Sequence, residues 1–195
     1  MVVTEKKLNY VNSKLRRMLP NPVIRDETSA DVEEITRVTV AAFQDLAVSS
    51  HNEQDVIIGL REAGALAVSL VAESAPRIIG HIAFSPVKIS DGTPSWYGLG
   101  PVSVLPKYQR QGVGRALIEE GLLRLRRMEA RGCCLVGHPE YYGRFGFEHV
   151  QGLVFEGAPP EAFFVLSFDG HVPRGTLTFH DAFTKKSSGQ EPLDP

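Results

Sequence analysis

A chain of 195 residues that is 43% apolar and 23% charged has the size and composition of one globular domain with its own core. A formal net charge of −2 gives no chain-wide electrostatic case for a nucleic-acid partner. No apolar run nears the roughly 18 residues of a membrane span and no apolar leader opens the chain, so the expected setting is cytoplasmic, without a membrane partner.

Residues 1–22 form a basic amphipathic segment. Leu8, Val11, Leu15, Met18 and Leu19 share a helical face, Lys6, Lys7, Lys14, Arg16 and Arg17 fall elsewhere, and Pro20 and Pro22 stop the helix. Three uses remain open: an extra helix packed on the domain or a second subunit, a basic tail, or a presequence-like or membrane-surface helix. The main domain is expected over 23–184. Val23-Ile24-Arg25 reads as a strand. Thr28 or Ser29 then caps a helix whose first turn carries Asp31 and Glu33 and whose buried stripe is Val32, Ile35, Val38, Thr39 and Phe43. A second helix runs from about Asn52 to Glu62 and stops at Gly64. Leu66–Ala72 and Arg77–Val87 form a hairpin, Asp91-Gly92-Thr93-Pro94 a turn, and Trp96–Val104 a further strand.

The next stretch carries the functional signal. Val102 and Val104 alternate with Ser103, and Pro106, which has no amide donor, ends the ladder. Gly112 and Gly114 permit a sharp turn, and Leu117, Ile118, Leu122, Leu125 and Met128 recur on one face of a helix. A strand, a glycine turn and a helix N-terminus leave amides free to face an anion, so a phosphorylated ligand is expected. The spacing fits neither a P-loop nor a dinucleotide fingerprint, where Leu117 stands in the third small position.

After this helix, Gly132 marks a stop and Cys133–Val136 reads as a buried strand. The adjacent Cys133 and Cys134 cannot form an ordinary disulfide with each other, and no second ligand pair lies at zinc spacing, so they read as strand filler in a reducing compartment and no metal is expected. His138-Pro139 breaks the strand, Glu140–Arg144 is a short helix, and Gly146-Phe147 returns to strand. Phe163–Phe168 and Gly175–Phe179 complete the strands, and residues 185–195 form a polar tail expected to be disordered. The order of elements implies an α/β fold whose mixed sheet contains a parallel pair around the glycine motif.

Gln109-x-x-Gly112-x-Gly114 resembles the pyrophosphate motif of the Gcn5-related N-acetyltransferases (GNAT). The resemblance extends through Leu99–Pro106 before it, Gly80–Val87 upstream and Pro139–Phe147 downstream, and is strongest to the bacterial YhbS-like branch. It implies a GNAT-like fold, a central twisted mixed sheet flanked by helices, here with an extra N-terminal helix. It implies transfer of an acetyl group from acetyl-CoA, as co-substrate, to a primary amine of a small molecule or protein by direct attack, with a homodimer as the default assembly.

On this resemblance Val102, Ser103 and Val104 bond the pantetheine arm. Gln109, Arg110, Gln111, Gly112, Val113, Gly114 and Arg115 cradle the pyrophosphate, with Lys107, Arg110 or Arg115 adding charge-assisted bonds. Tyr142, four residues before Gly146, matches the family's proton donor to the departing thiolate, and Tyr141 beside it is expected to face elsewhere. Tyr97–Gly100 offers no carboxylate base. His138, at the strand end facing the cleft, is the candidate in its place, since imidazole titrates near neutrality. Glu53 is a weaker candidate for amine contact, and His81 reads as structural. Phe155, Phe163 and Phe164 each read first as core, with the lining of an apolar acceptor pocket as the other use. A non-catalytic acyl-CoA sensor acting through a partner is the alternative function.

Overall fold

The computed structural model describes residues 22–46 and 51–184, so the expected N-terminal helix and C-terminal tail lie outside the described residues. The chain runs β1 (Val23–Asp26), a 3-10 turn, α1 (Val32–Phe43), α2 (Glu53–Glu62), β2 (Val68–Ser74), β3 (Arg77–Pro86), β4 (Lys88–Ile89) and β5 (Trp96–Val104). It continues through α3 (Val113–Arg127), β6 (Gly132–Val136), α4 (Pro139–Tyr142), β7 (Leu153–Val154), β8 (Phe163–Ser167) and β9 (Gly175–Thr178). Six strands pair in the order β1-β2-β3-β5-β6-β8, and β4-β9-β7 make a second, smaller sheet. β5 and β6 are parallel and the other pairs of the main sheet antiparallel, so the sheet is mixed as expected.

Strand alternation decides what each face meets. Leu70 and Ile82 turn to one face, where Leu117, Ile118, Leu122 and Leu125 of α3 cover them. Val71 and Ile78 turn to the other, against Ile35 and Val38 of α1 and Ile57 of α2. Cys133 and Cys134 split the same way between two core clusters, and both thiols are fully buried and unbridged. Each large side chain buried in this way contributes about 1.5–3 kcal/mol. An ionic clamp fixes the start of α1. Asp31 accepts from the Thr28 amide at 2.7 Å and hydroxyl at 2.9 Å, and Arg25 on β1 holds the same carboxylate through two bonds of 2.7 and 3.0 Å.

Two local features differ from the sequence reading. Gly146-Phe147 is not a strand: Gly146 adopts a left-handed φ of +87° at the end of a 3-10 turn, Phe147 drops into the core, and pairing resumes only as a bridge from Glu148 to Val165. β4 and β7 have two residues each, too few to show a period. His81 is structural, as expected, and fully buried in β3 with its Nε2 2.8 Å from Ser69 Oγ.

Candidate active site

The site begins where the parallel pair comes apart. β5 pairs with β6 only at Trp96–Gly98, opposite Gly132–Cys134, and the two strands then separate. On its other side β5 stays bound to β3 as far as Val104. The Leu105 amide donates to Ile79 O on that side at 2.9 Å. Strand alternation therefore turns the backbone groups of Ser103 toward β3 as well, and those of Val102 and Val104 toward the gap. Gln109 Nε2 reaches the exposed Val104 carbonyl at 3.1 Å. Ser103 departs from the expected strand trio: its hydroxyl lies 3.0 Å from Thr39 Oγ1 of α1, buried behind the sheet, so neither its side chain nor its backbone faces the gap.

The gap is the floor of a cleft of about 790 Å³, within the range of ligand sites. One end meets the glycine turn. Arg110 and Gly112 both take left-handed φ values, +57° and +90°, and α3 starts directly after them. The buried Val113 roots that start in the core. Among the described residues the amides of Arg110 to Arg115 have no hydrogen-bond acceptor; the first helical amide so paired is Ala116, to Gly112 O at 2.9 Å. Unpaired amides at the positive end of a helix dipole form an anion site. Gln111 Nε2 braces the turn on Lys107 O at 2.7 Å, while Arg115 lies along the exposed helix surface against Glu119, also at 2.7 Å. Gln109 and Gly114 line the cleft itself.

The opposite wall comes from β6 and α4. His138 caps α4, its carbonyl accepting from the Tyr141 and Tyr142 amides, and its exposed side chain stands on the cleft wall. Tyr142 lines the cleft with its ring packed against Gly137 and, edge-on, Phe147. Burial, reinforced by Tyr141 and Cys133, pushes its phenol well above the ordinary tyrosine range, so it stays protonated. Tyr141 also lines the cleft, contrary to the expectation that it faces elsewhere. The four-residue helix turns directly into a 3-10 segment, and the two rings stand edge to face with centroids 5.0 Å apart. The Tyr141 hydroxyl would lie 2.9 Å from a Cβ at Gly114, which explains a glycine there.

The far end of the cleft is aromatic. Phe43, Phe155, Phe179 and Phe183 line it together with Glu53 from the first turn of α2. Phe155 is thus a pocket residue, whereas Phe163 and Phe164 belong to the core. Phe43 and Phe183 carried no separate sequence signal: one reads as part of a helical stripe and the other follows the last strand.

A mixed sheet that splits beside a glycine turn, with free helix amides at one end of the gap and a protonated phenol on its far wall, is built to hold a long ligand with an anionic head. Sequence comparison agrees with that geometry, for the family model described as acetyltransferase (GNAT) domain matches residues 66–149. The chain belongs to the GNAT family of acetyltransferases. An uncharacterized N-acetyltransferase of Escherichia coli strain K12, YhbS, is 35% identical over 127 residues, covering 65% of this chain and 73% of that protein. The fold is likewise similar to a GNAT-family acetyltransferase from Brucella melitensis in complex with acetyl-CoA. That protein is 46% identical with a TM-score of 0.74, the match covering 83% of this chain and 97% of that one. Escherichia coli YhbS in complex with CoA superposes with a TM-score of 0.73 at 30% identity, over 85% of this chain and 93% of that one. Among the described residues no cluster of ligating side chains could hold a metal, and no helix is long and apolar enough to cross a membrane.

Proposed function

We propose that this chain transfers the acetyl group of acetyl-CoA to a primary amine by direct attack. The observation that carries the reading is the separation of β5 from β6 beside the unpaired amides of Arg110 to Arg115. Acetyl-CoA supplies an activated acetyl thioester. The chain's own groups fit its parts. The loop amides suit a pyrophosphate, with Lys107 and Arg110 on the same loop adding charge. The free edge of Val102 and Val104 suits a pantetheine arm, whose amides pair as another strand would.

Tyr142 is the proposed donor to the leaving sulfur. Its phenol is a weaker acid than a thiol, whose ordinary value is about 8.5, so it stabilises developing thiolate charge with a hydrogen bond and keeps its proton. His138 is the proposed acceptor of the amine's proton, directly or through one water. The amine enters from the aromatic end, on the side of Glu53. A protonated phenol and an imidazole on one cleft wall support the catalytic reading over the non-catalytic sensor.

Calorimetric titration with acetyl-CoA, and separately with NADH and ATP, tests the assignment. Micromolar binding of acetyl-CoA alone, with thiol release once an amine is added, is the expected result. A protein that binds none of the three, or prefers NADH, does not have the site described.

A further inference from the structure

The acceptor end of the cleft differs in chemistry from the loop end. Gly100 of β5 lies on its floor. Phe179 packs directly onto Gly98, and Phe183 reaches to 4.0 Å from the Cβ position at Gly100. Phe155 stands edge-on to Phe179 with centroids 4.8 Å apart, and Phe179 lies 5.3 Å from Phe183, so three rings make one continuous wall. Phe43 at the end of α1, Leu46 in the turn that follows it and Val56 of α2 extend the apolar lining. Phe43, Phe155 and Phe183 are only half-buried, which leaves ring surface for a ligand to cover. Among the described lining residues Glu53 is the one carboxylate, and there is no lysine or arginine.

Each feature excludes a class of amine. A polyamine or aminoglycoside brings several positive charges, and one carboxylate leaves most of them facing apolar walls after losing water. A free amino acid brings a carboxylate for which the described lining holds no lysine or arginine. An aromatic or branched apolar body fits the phenylalanine wall, and a single ammonium fits the single carboxylate. Resting on the acetyltransferase reading above, we infer that the acceptor is a monoamine without a carboxylate whose amino group sits a few carbons from an aromatic or branched apolar group. Phe155 and Phe183 bind the body, and Glu53 orients the nitrogen toward the split between β5 and β6. The same chemistry occurs in a free arylalkylamine and at the amino terminus of a peptide that begins with a large apolar residue.

Thiol release with the purified full chain tests this on 2-phenylethylamine, ethylamine, phenylalanine, spermidine and a tripeptide beginning with phenylalanine. kcat/KM for 2-phenylethylamine should exceed that for ethylamine, phenylalanine and spermidine by at least tenfold, as a hydrophobic pocket discriminates. Turnover of the tripeptide at a comparable rate would make a peptide amino terminus the source; its failure beside good turnover of 2-phenylethylamine would make it the free amine. Phe155→Ala should raise KM for 2-phenylethylamine at least tenfold with Kd for acetyl-CoA within twofold, and Phe155→Leu should recover most of the loss. Acetyl-CoA binding in the same samples separates two failures. Without it the reading of the cleft falls, and this inference with it. With acetyl-CoA bound, equal or better turnover of spermidine, phenylalanine or ethylamine overturns the aromatic monoamine alone. So does a lack of both turnover and saturable calorimetric binding of 2-phenylethylamine to the CoA-loaded protein.

Discussion

At the scale of single residues, two buried groups make predictions of different kinds. Tyr142→Phe keeps the ring that packs on Gly137 and Phe147 and deletes only the hydroxyl. Loss of one hydrogen-bond donor to developing charge should lower kcat by roughly 10²-fold, while calorimetry gives acetyl-CoA affinity within about twofold. An unchanged kcat would move the donor role elsewhere, and Tyr141 would be the next residue to change. His81 concerns stability. Ser69 has one hydroxyl proton, which it donates to Glu27 Oε2 at 2.5 Å, so it must accept from Nε2–H of His81. Nδ1 is then the bare nitrogen, and it is buried without a hydrogen-bond partner. Protonating it would bury an unpaired N–H, so burial holds the imidazole pKa below its ordinary value despite the opposing Glu27 carboxylate. A histidine with a depressed folded pKa leaves the unfolded chain to bind the proton first. Its stability contribution is therefore full above about pH 6.5 and falls as pH drops below that value. Burial would push the Glu27 carboxyl up, but bonds from His81, Arg61 and Ser69 outweigh it and hold it at about 2. That contribution is full above its ordinary 4.5 and lost as pH falls toward 2. Urea unfolding at a series of pH values should show stability declining in both windows. His81→Gln should flatten the upper window and Glu27→Gln the lower, and retained upper-window loss in His81→Gln would exclude this histidine as its source.

At the scale of elements, the turn into α3 sets cofactor geometry. A Cβ at Gly112 meets nothing within 4 Å, so Gly112→Ala costs only its left-handed φ, about 1–2 kcal/mol. That cost falls on the turn which aims the free amides, and acetyl-CoA affinity should drop along with stability. Gly114→Ala acts differently, because its Cβ meets the Tyr141 hydroxyl. A flexible tip can move, so stability should change by less than about 1 kcal/mol. The added methyl enters the cleft beside the free amides and should weaken acetyl-CoA binding; adding Tyr141→Phe removes the atom in contact and should restore part of that loss, a coupling that a double-mutant cycle measures. Independent, additive effects would mean that the two residues do not meet. These elements were legible in the sequence to different degrees. β5 is bounded as the alternation and Pro106 imply, and the fifteen-residue α3 follows its apolar stripe closely. Gln109 and the glycine turn were legible because their spacing is local. Ser103 was misread because alternation reports a side chain's face while the ligand edge depends on which strand lies alongside. Tyr141 was misplaced because α4 is a single turn that passes straight into a 3-10 segment, where helical periodicity does not apply. The aromatic end of the cleft gathers residues from α1, α2, the segment after β7 and the chain beyond β9, and no local pattern announces such a meeting.

At the scale of the whole molecule, the sheet is one structure at its base and two at its mouth. β1, β2, β3 and β5 form one flank and β6 with β8 the other, joined by the short parallel run at Trp96–Gly98. A ligand in the cleft therefore closes a defect that the fold maintains in its most buried layer. Backbone polar groups in the middle of a sheet are ordinarily paired, and leaving them open costs stability. The open edge of β5 is accordingly where the free protein and its complex should differ most. Amide hydrogen exchange reads this directly. In the free protein the Val102 and Val104 amides should exchange far faster than that of Ser103 between them, although all three lie in a central strand. Acetyl-CoA should slow Val102, Val104 and the amides from Arg110 to Arg115 together and leave Leu70 and Ile82, deep in the intact flank, unchanged. Slow exchange at Val104 in the free protein would mean that the edge is already closed. Protection confined to the α3 turn would mean that only the phosphates of the ligand are held by the backbone, and that the arm leading to the reacting carbon is positioned by side chains instead.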